Sequence, residues 1–213
     1  MVEIIGDPGS CHMSEFGRAC QLVETGIEAG LDAVKFQLID TPEMAGGNIR
    51  LPWGHLPILA GRYPEIRIFA SAFNMAAVQF LLAEGFPEIK FAYSKYPLFL
   101  ECLAGGLLNK LERIYVSTDT MRPRPAAAPP SVRWLYCIPE YPVRYLVDFE
   151  GVFPRFTGFS DHTLGVTQTV SAVAHGARVI EKHFTLDDPT ITCPDHSFAL
   201  RPAALRLLVE SLR

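Results

Sequence analysis

Two histidines near the end of the chain are spaced so that both could bind one metal ion. His162 follows the run Gly-Phe-Ser-Asp that starts at residue 158, and His183 follows the run Val-Ile-Glu-Lys that starts at residue 179. Each run is typical of a buried strand, and the residues between them are typical of a helix, so the two strands are expected to be parallel. Imidazoles at the same end of neighbouring parallel strands can converge on one metal. The alternative is a pair of core histidines bonded to the backbone. Asp195 and His196, one loop later, favour a metal site or direct catalysis.

Two lysines lie inside apolar segments, where an unpaired charge would be costly to bury. Lys35 stands in Ala-Val-Lys-Phe and Lys90 in Ile-Lys-Phe. One hypothesis is that their ammonium groups bind an anionic substrate, a carboxylate or a phosphate. A second is an internal ion pair with Glu3, Asp7 or Glu181. A third is a lysine that forms a Schiff base with a carbonyl substrate.

The elements that position these residues alternate between short apolar strands and amphipathic helices. This pattern predicts a parallel α/β fold buried on both faces of its sheet. Strands are predicted at residues 2–6, 33–37, 66–73, 89–93, 113–118, 134–138, 156–159 and 179–182, and helices at 14–29, 76–84, 98–107, 144–149, 166–175 and 203–212. Eight strands favour a single (β/α)8 barrel domain, a TIM barrel, over residues 1–213.

The predicted barrel is trimmed, with some crossover helices shortened or replaced by loops. Residues 119–131 contain four prolines where a helix would be expected, so we predict an extended loop there. Residues 38–64 are rich in proline and offer at most one short helix. In such a barrel the functional side chains cluster where the strands end. The polar residues that we place at strand ends are Glu3, Asp7, Lys35, Gln37, Ser71, Asn74, Lys90, Ser94, Lys95, Ser117, Thr118, Asp119, Glu140, Tyr141, Ser160, Asp161, His162, Glu181, Lys182 and His183.

Composition excludes several classes of function. Of the 213 residues, 49% are hydrophobic and 20% charged, and the net charge of -4 comes without a basic run, which argues against nucleic-acid binding. No apolar stretch is long enough to span a bilayer, and the acidic start is not a signal peptide. The five cysteines show no CxxC spacing, so we expect reduced thiols in a cytoplasmic protein.

Several of these segments resemble the sialic acid synthase family. The resemblance is carried by Gly-Phe-Ser-Asp-His-Thr-Leu-Gly from residue 158, by Val-Ile-Glu-Lys-His-Phe-Thr-Leu from residue 179, and by Pro-Asp-His from residue 194. Shorter matches lie at residues 24–37, 69–73, 89–91, 116–118 and 137–142. Members of the family are (β/α)8 barrels that condense phosphoenolpyruvate with an aldose such as N-acetylmannosamine. The resemblance implies the same reaction here and a divalent metal cofactor. Mn²⁺ is the expected metal, and Mg²⁺ and Co²⁺ are the alternatives.

The resemblance also implies a role for individual residues. His162 and His183 match the metal ligands. The residues that match phosphoenolpyruvate contacts are Lys35, Ser71, Lys90 and Ser160, with Gln37 and Ser117 as further substrate-binding residues. Asp195 matches a residue that orients the sugar or a water, Tyr141 a tyrosine of the active-site loop, and Glu3 an amino-terminal glutamate, and we expect all three to be catalytic.

The chain departs from the family pattern at several positions. Asp7-Pro8 stands where the family usually has Asn-His, and Lys95, the fourth expected catalytic residue, stands where it often has a glutamate. One unit of charge at about 6 Å, with an effective dielectric constant of about 20, is worth roughly 3 kcal/mol. Either Lys95 turns away or the second substrate differs from N-acetylmannosamine.

We also expect the barrel to lack the family's carboxyl-terminal antifreeze-like domain, so that a possible homodimer would rest on the barrel alone. Two alternatives to the condensing enzyme remain open. One is another barrel aldolase or lyase with a Schiff-base lysine. The other is a non-catalytic relative that binds an anionic sugar or metabolite.

Overall fold

Eight parallel strands close into a barrel in the computed structural model, which describes residues 1–39 and 50–213. The strands are β1 Glu3–Asp7, β2 Ala33–Leu38, β3 Arg67–Ala72, β4 Glu88–Phe91, β5 Arg113–Thr118, β6 Val132–Cys137, β7 Gly158–Asp161 and β8 Val179–His183. Each strand pairs with its neighbour in sequence, and β8 closes the barrel against β1. The predicted barrel fold is confirmed.

Helices connect most but not all of the strands. In the described residues they are α1 Phe16–Ala29, α2 His55–Arg62, α3 Met75–Ala83, α4 Tyr96–Ala104, α5 Thr167–Ala174 and α6 Pro202–Leu212, with short 3₁₀ helices at Tyr93–Lys95 and Pro194–Ser197. The proline-rich residues 119–131 form no helix, as predicted, and α2 is the one helix in the described part of residues 38–64. The barrel is therefore trimmed mainly between β5 and β7.

The helix predicted at residues 144–149 is wrong, because no helix forms there. The backbone of this segment bonds to neighbouring elements instead of to itself. Val143 forms an isolated bridge with Thr163, and the Val147 N–H donates to the side-chain oxygen of Gln168 at 3.0 Å. Tertiary contacts thus take the bonds that a helix would have used.

The barrel interior is built in layers, because alternate residues of a strand face opposite sides. One apolar layer fills the lower interior and consists of Ile5, Ala33, Phe69, Tyr115, Leu135 and Val179. Two residues further along five of these strands lie Asp7, Lys35, Ser71, Ser117 and Glu181, all buried. The same alternation that packs the interior therefore places a polar layer directly above it.

The helices pack against the outer face of the barrel in a larger apolar cluster. Their ends are set by local signals: Asn74 caps α3 by accepting the Ala77 N–H at 2.8 Å, and α1 ends at Gly30, whose φ of 80° suits a glycine. Among the helices in the described ranges, none is both long and apolar enough to cross a membrane.

Candidate active site

A cavity of about 250 Å³ opens at the carboxyl-terminal end of the barrel. Every strand, or the loop directly after it, contributes to its wall. The lining residues are Asp7, Lys35, Gln37, Ile39, Ser71, Phe73, Lys90, Ala92, Tyr93, Ser94, Ser117, Cys137, Tyr141, Ser160, His162, Glu181, His183 and Asp195. Ten of the twelve sequence-predicted site residues lie in this wall, and Glu3 and Lys95 do not.

The two buried lysines form ion pairs inside the cavity. Lys35 Nζ lies 2.6 Å from Asp7 Oδ2 and 2.9 Å from the Ser71 hydroxyl. Lys90 Nζ lies 2.6 Å from both carboxylate oxygens of Glu181. Of the three partners considered from sequence, the structure selects Asp7 and Glu181 and not Glu3. The positive charges of two ammonium groups are therefore balanced by two carboxylates at the base of the cavity.

These ion pairs perturb the titration of the carboxylates. Burial alone would raise the pKa of Glu181, but Lys35 and Lys90 lower it to about 2. Burial also raises the pKa of Asp7, but Lys35, His183 and the Gly9 N–H together hold it well below its usual range. Ser160 donates a hydrogen bond of 2.8 Å to Glu181. Both carboxylates stay ionised at neutral pH and hold the lysines in place.

His162 is a neutral imidazole whose two ring nitrogens have different roles. Its Nδ1 lies 3.0 Å from the carbonyl oxygen of Ile138, so the proton sits on Nδ1 and donates to that oxygen. Burial, with the nearby His183, lowers the pKa of His162 to about 4. The Nε2 lone pair is thereby available, which is the arrangement that metal-binding histidines show.

His183 faces His162 across the cavity, with 5.7 Å between ring centroids. Its Nδ1 is buried and has no hydrogen-bond partner in the described ranges, while its Nε2 lies 3.6 Å from Asp7 Oδ2. A buried nitrogen without a partner is a feature that a bound ligand would satisfy. The two imidazoles fit a divalent metal as a pair of ligands. No set of three His, Cys, Asp or Glu side chains in residues 1–39 and 50–213 is arranged to hold a metal.

Asp195 and Tyr141 form the rim next to the histidines. Asp195 Oδ2 accepts hydrogen bonds from the Ser10 N–H at 2.8 Å and the Ser10 hydroxyl at 2.6 Å. The Tyr141 ring lies 4.0 Å from the ring of His162 and 6.4 Å from that of His183. Tyr141 is 56% exposed, so it covers the histidines from the solvent side.

Gln37 and Ser117 complete the polar wall in different ways. The Gln37 amide nitrogen lies 3.2 Å from Asp7 Oδ2, so Gln37 supports the carboxylate that holds Lys35. Ser117 is 1% exposed, and apart from the neighbouring Cys137 thiol its hydroxyl has no hydrogen-bond partner in the described part of the chain. Its hydroxyl is thus available to a molecule in the cavity.

The position expected for Glu3 is wrong. Glu3 is the first residue of β1, not a residue that follows it, so it lies at the amino-terminal end of the barrel. There it accepts a hydrogen bond from Tyr115 at 2.7 Å and pairs with Arg67. These partners belong to a separate charge network that does not touch the cavity.

Lys95 lies beside the cavity but not in its wall. Its ammonium group stands 5.5 Å from the centroid of the Phe73 ring, which does line the cavity. The side chain therefore packs on this ring at the edge of the cavity wall.

Sequence reasoning placed Asp7 and Glu181 at strand ends and named both as partners for the lysines, but gave neither a catalytic, substrate-binding or metal-binding role. The signal that identifies them is the alternation along their strands: each follows a buried apolar residue by two positions, as Asp7 follows Ile5. The same alternation directs Asp161 and Lys182 outward, where they pair with each other at 2.9 Å.

Comparison with known proteins finds synthases among the relatives of this chain. Residues 127–213 match the NeuB family. The N,N'-diacetyllegionaminic acid synthase of Legionella pneumophila is 25% identical over an alignment that covers 99% of this chain and 71% of that protein. The N-acetylneuraminate-9-phosphate synthase of Mus musculus is 27% identical, with 99% of this chain and 69% of that protein covered.

A solved structure agrees with the fold. The N-acetylneuraminic acid synthetase of Leptospira borgpetersenii superimposes with a TM-score of 0.80 at 22% identity, covering 99% of this chain and 82% of that one. The resemblance to the sialic acid synthase family is confirmed. Residues 127–213 thus match the NeuB family, and 99% of the chain is similar to sialic acid and legionaminic acid synthases.

Proposed function

We propose that this chain condenses phosphoenolpyruvate with an N-acetylhexosamine-type aldose, giving a 2-keto-3-deoxy sugar acid and phosphate. The observation that carries the proposal is the meeting of two buried lysines with two available imidazoles in one cavity at the end of a barrel. The homologues named above are synthases of sugar acids of this kind.

Phosphoenolpyruvate fits the lysine side of the cavity. Its carboxylate and phosphate need donors, and Lys35, Lys90, Ser117 and Ser160 offer ammonium and hydroxyl groups in one wall. Asp7 and Glu181 hold the two lysines rigidly, so the donors are positioned before the substrate arrives. Because the pairs are neutral overall, an incoming anion shares the ammonium protons with these carboxylates.

The aldose fits the histidine side. His162 and His183 would hold a divalent metal, Mn²⁺ by the family resemblance, and when bound the metal would supply Lewis acidity for the aldehyde carbonyl. Asp195 would orient the sugar through its remaining oxygen, and Tyr141 would shield the reacting atoms from water. The carbon–carbon bond forms between the enol carbon and the aldehyde carbon, and water adds to the carbon from which phosphate leaves.

The test is phosphate release from phosphoenolpyruvate with Mn²⁺, with and without N-acetylmannosamine. We expect release that needs both, and its loss, together with loss of bound metal, in a His162→Ala, His183→Ala variant. His175→Ala is the matched control, since His175 is exposed and bonds only to its own helix. Normal metal content in the double variant would overturn the assignment of the ligands.

A Schiff-base aldolase is a second candidate, favoured by one observation. Burial lowers the pKa of Lys90, and the nearby Lys35 adds to this effect while Glu181 opposes it. An amine with a lowered pKa is a better nucleophile at neutral pH. Borohydride trapping of a carbonyl substrate on Lys90 would establish this candidate. A protein mass that is unchanged after the treatment would exclude it. Binding of an anionic sugar without turnover in either assay would mark a non-catalytic relative.

A further inference from the structure

Two cysteines that the proposed reaction does not use lie in contact beside the cavity. Cys11 Sγ and Cys193 Sγ are 3.1 Å apart, although 182 residues separate them in sequence. Cys11 is 0% exposed and Cys193 4% exposed. A disulfide bond has a sulfur–sulfur distance of about 2.05 Å, so an approach of about 1 Å would be enough to form one.

The two cysteines lie on the two loops that the hydrogen bonds between Ser10 and Asp195 connect. Cys11 lies between β1 and α1, next to Ser10, and Cys193 lies two residues before Asp195. Ser10 donates two hydrogen bonds to Asp195 Oδ2, which lines the cavity. A covalent link between Cys11 and Cys193 would therefore fix the two loops that position Asp195.

The surroundings make Cys193 the more reactive sulfur of the pair. The hydrogen bond with Cys11 lowers the pKa of Cys193, whereas burial raises the pKa of Cys102 to about 11 and that of Cys137 to about 12. Thiol–disulfide exchange begins with attack by a thiolate, so a lowered pKa favours this residue.

We propose that Cys11 and Cys193 are a redox-modification site, a dithiol that oxidises reversibly to a disulfide and cross-links the β1–α1 loop to the β8–α6 loop. With glutathione disulfide as the oxidant, the Cys193 thiolate attacks one sulfur and releases one glutathione thiolate. Cys11 then loses its proton to solvent, attacks the Cys193 sulfur of the mixed disulfide and releases the second glutathione. Two electrons pass from the protein dithiol to glutathione disulfide, which becomes two glutathione thiols.

The test is the mass of the intact, folded protein after incubation with glutathione disulfide. We expect a loss of about 2 Da, for two hydrogens, that dithiothreitol restores. Peptide mapping without reduction should join the peptide of Cys11 to that of Cys193. Because the link closes a long loop, the midpoint of thermal unfolding should rise by about 5 °C or more in the oxidised protein.

Three variants sharpen the result. Cys11→Ser and Cys193→Ser should each lose both the mass change and the thermal shift, and having two such variants guards against one that fails to fold. Cys102→Ser is the matched control, since Cys102 is as buried as Cys11 but lies on α4 and should leave the disulfide intact. Wild-type protein that keeps five free thiols, that stops at a glutathione adduct, or that links any other pair of cysteines would overturn the proposal.

Discussion

The two ends of the barrel both carry buried charges, but they differ in how completely the polar atoms are paired. At the amino-terminal end Arg67 bridges Glu3 and Glu88, and Arg113 also pairs with Glu88. The two arginine side chains there are 33% and 39% exposed, so water screens them.

At the carboxyl-terminal end the charges are buried almost completely, and some polar atoms are left without partners. The side chains of Lys35, Lys90, Asp7 and Glu181 are between 2% and 6% exposed. Ser117 and His183 nearby keep buried polar atoms without a protein hydrogen bond in the described residues, apart from the Cys137 thiol beside Ser117. The comparison suggests that the first network stabilises the barrel, whereas the second is organised to receive a ligand.

Replacing one cationic side chain at each end of the barrel should give the largest difference in the free energy of unfolding. In Lys90→Ala the carboxylate of Glu181 loses its closest partner, and the free energy of unfolding should fall by roughly 3–5 kcal/mol. In Arg113→Ala it should fall by about 1 kcal/mol or less, because Arg67 still pairs with Glu88 in a partly exposed setting. Urea unfolding of both variants measures this. Equal losses would remove the distinction between the two ends.

Acid should weaken the carboxyl-terminal network in a defined range of pH. The pKa of Glu181 is about 2 in the folded protein against 4.5 for an unperturbed glutamate, so its contribution is present above pH 4.5 and is lost as the pH falls towards 2. The contribution is about 3 kcal/mol for a shift of this size. The free energy of unfolding between pH 5 and pH 2 should therefore fall less steeply in Glu181→Gln. A slope identical to that of the wild type would contradict the lowered pKa.

Two serines of the cavity should separate binding from stability. Ser71→Ala removes a hydroxyl bonded to Lys35 and should cost about 1 kcal/mol of unfolding free energy. Ser117→Ala removes a hydroxyl without such a bond and should change stability by less than about 0.5 kcal/mol. It should nevertheless raise the KM for phosphoenolpyruvate several-fold. A stability loss in Ser117→Ala as large as that in Ser71→Ala would show that this hydroxyl is already satisfied.

Glu3→Gln at the amino-terminal end should have a small effect on stability and none on turnover. The glutamine still accepts a hydrogen bond from Tyr115, and the ion pair with Arg67 is partly exposed, so stability should fall by about 1 kcal/mol or less. Phosphate release should not change, since Glu3 lies outside the cavity. A loss of turnover in folded protein would return Glu3 to the candidate catalytic residues.

The eight strands could be predicted because buried parallel strands appear as short apolar runs, and the site followed from the polar residues at their ends. The partners of the lysines could not be chosen from sequence, since Asp7 is 28 residues from Lys35 and Glu181 is 91 residues from Lys90. Only the closure of β8 onto β1 and the pairing along the barrel bring them together.

Errors arose where a boundary or a tertiary contact decided the outcome. A one-residue shift of β1, which spans residues 3–7 and not 2–6, moves Asp7 into the strand. Glu3 was assigned to the wrong end of the barrel, although it stands near the start of the predicted strand 2–6 just as it does in β1, so residue order alone places it at the amino-terminal end. The segment 144–149 has a local composition compatible with a helix, but the bridge of the preceding Val143 to Thr163 and the bond of Val147 to Gln168 lie outside any local window.

The absence of a helix from residues 119–157, between β5 and β7, has a consequence for how the barrel opens. β6 is the least buried strand, with Arg133, Trp134 and Tyr136 only partly covered. Its outer face is covered largely by loop side chains, with Phe156 against Tyr136 and Arg124 over Trp134, while Phe99 of α4 also packs against Trp134. Loop contacts separate more easily than a packed helix, so amide protons of β6 should exchange with solvent before those of β1 or β8. Transient openings of the molecule would then start in this sector and reach Cys137 in the cavity wall first.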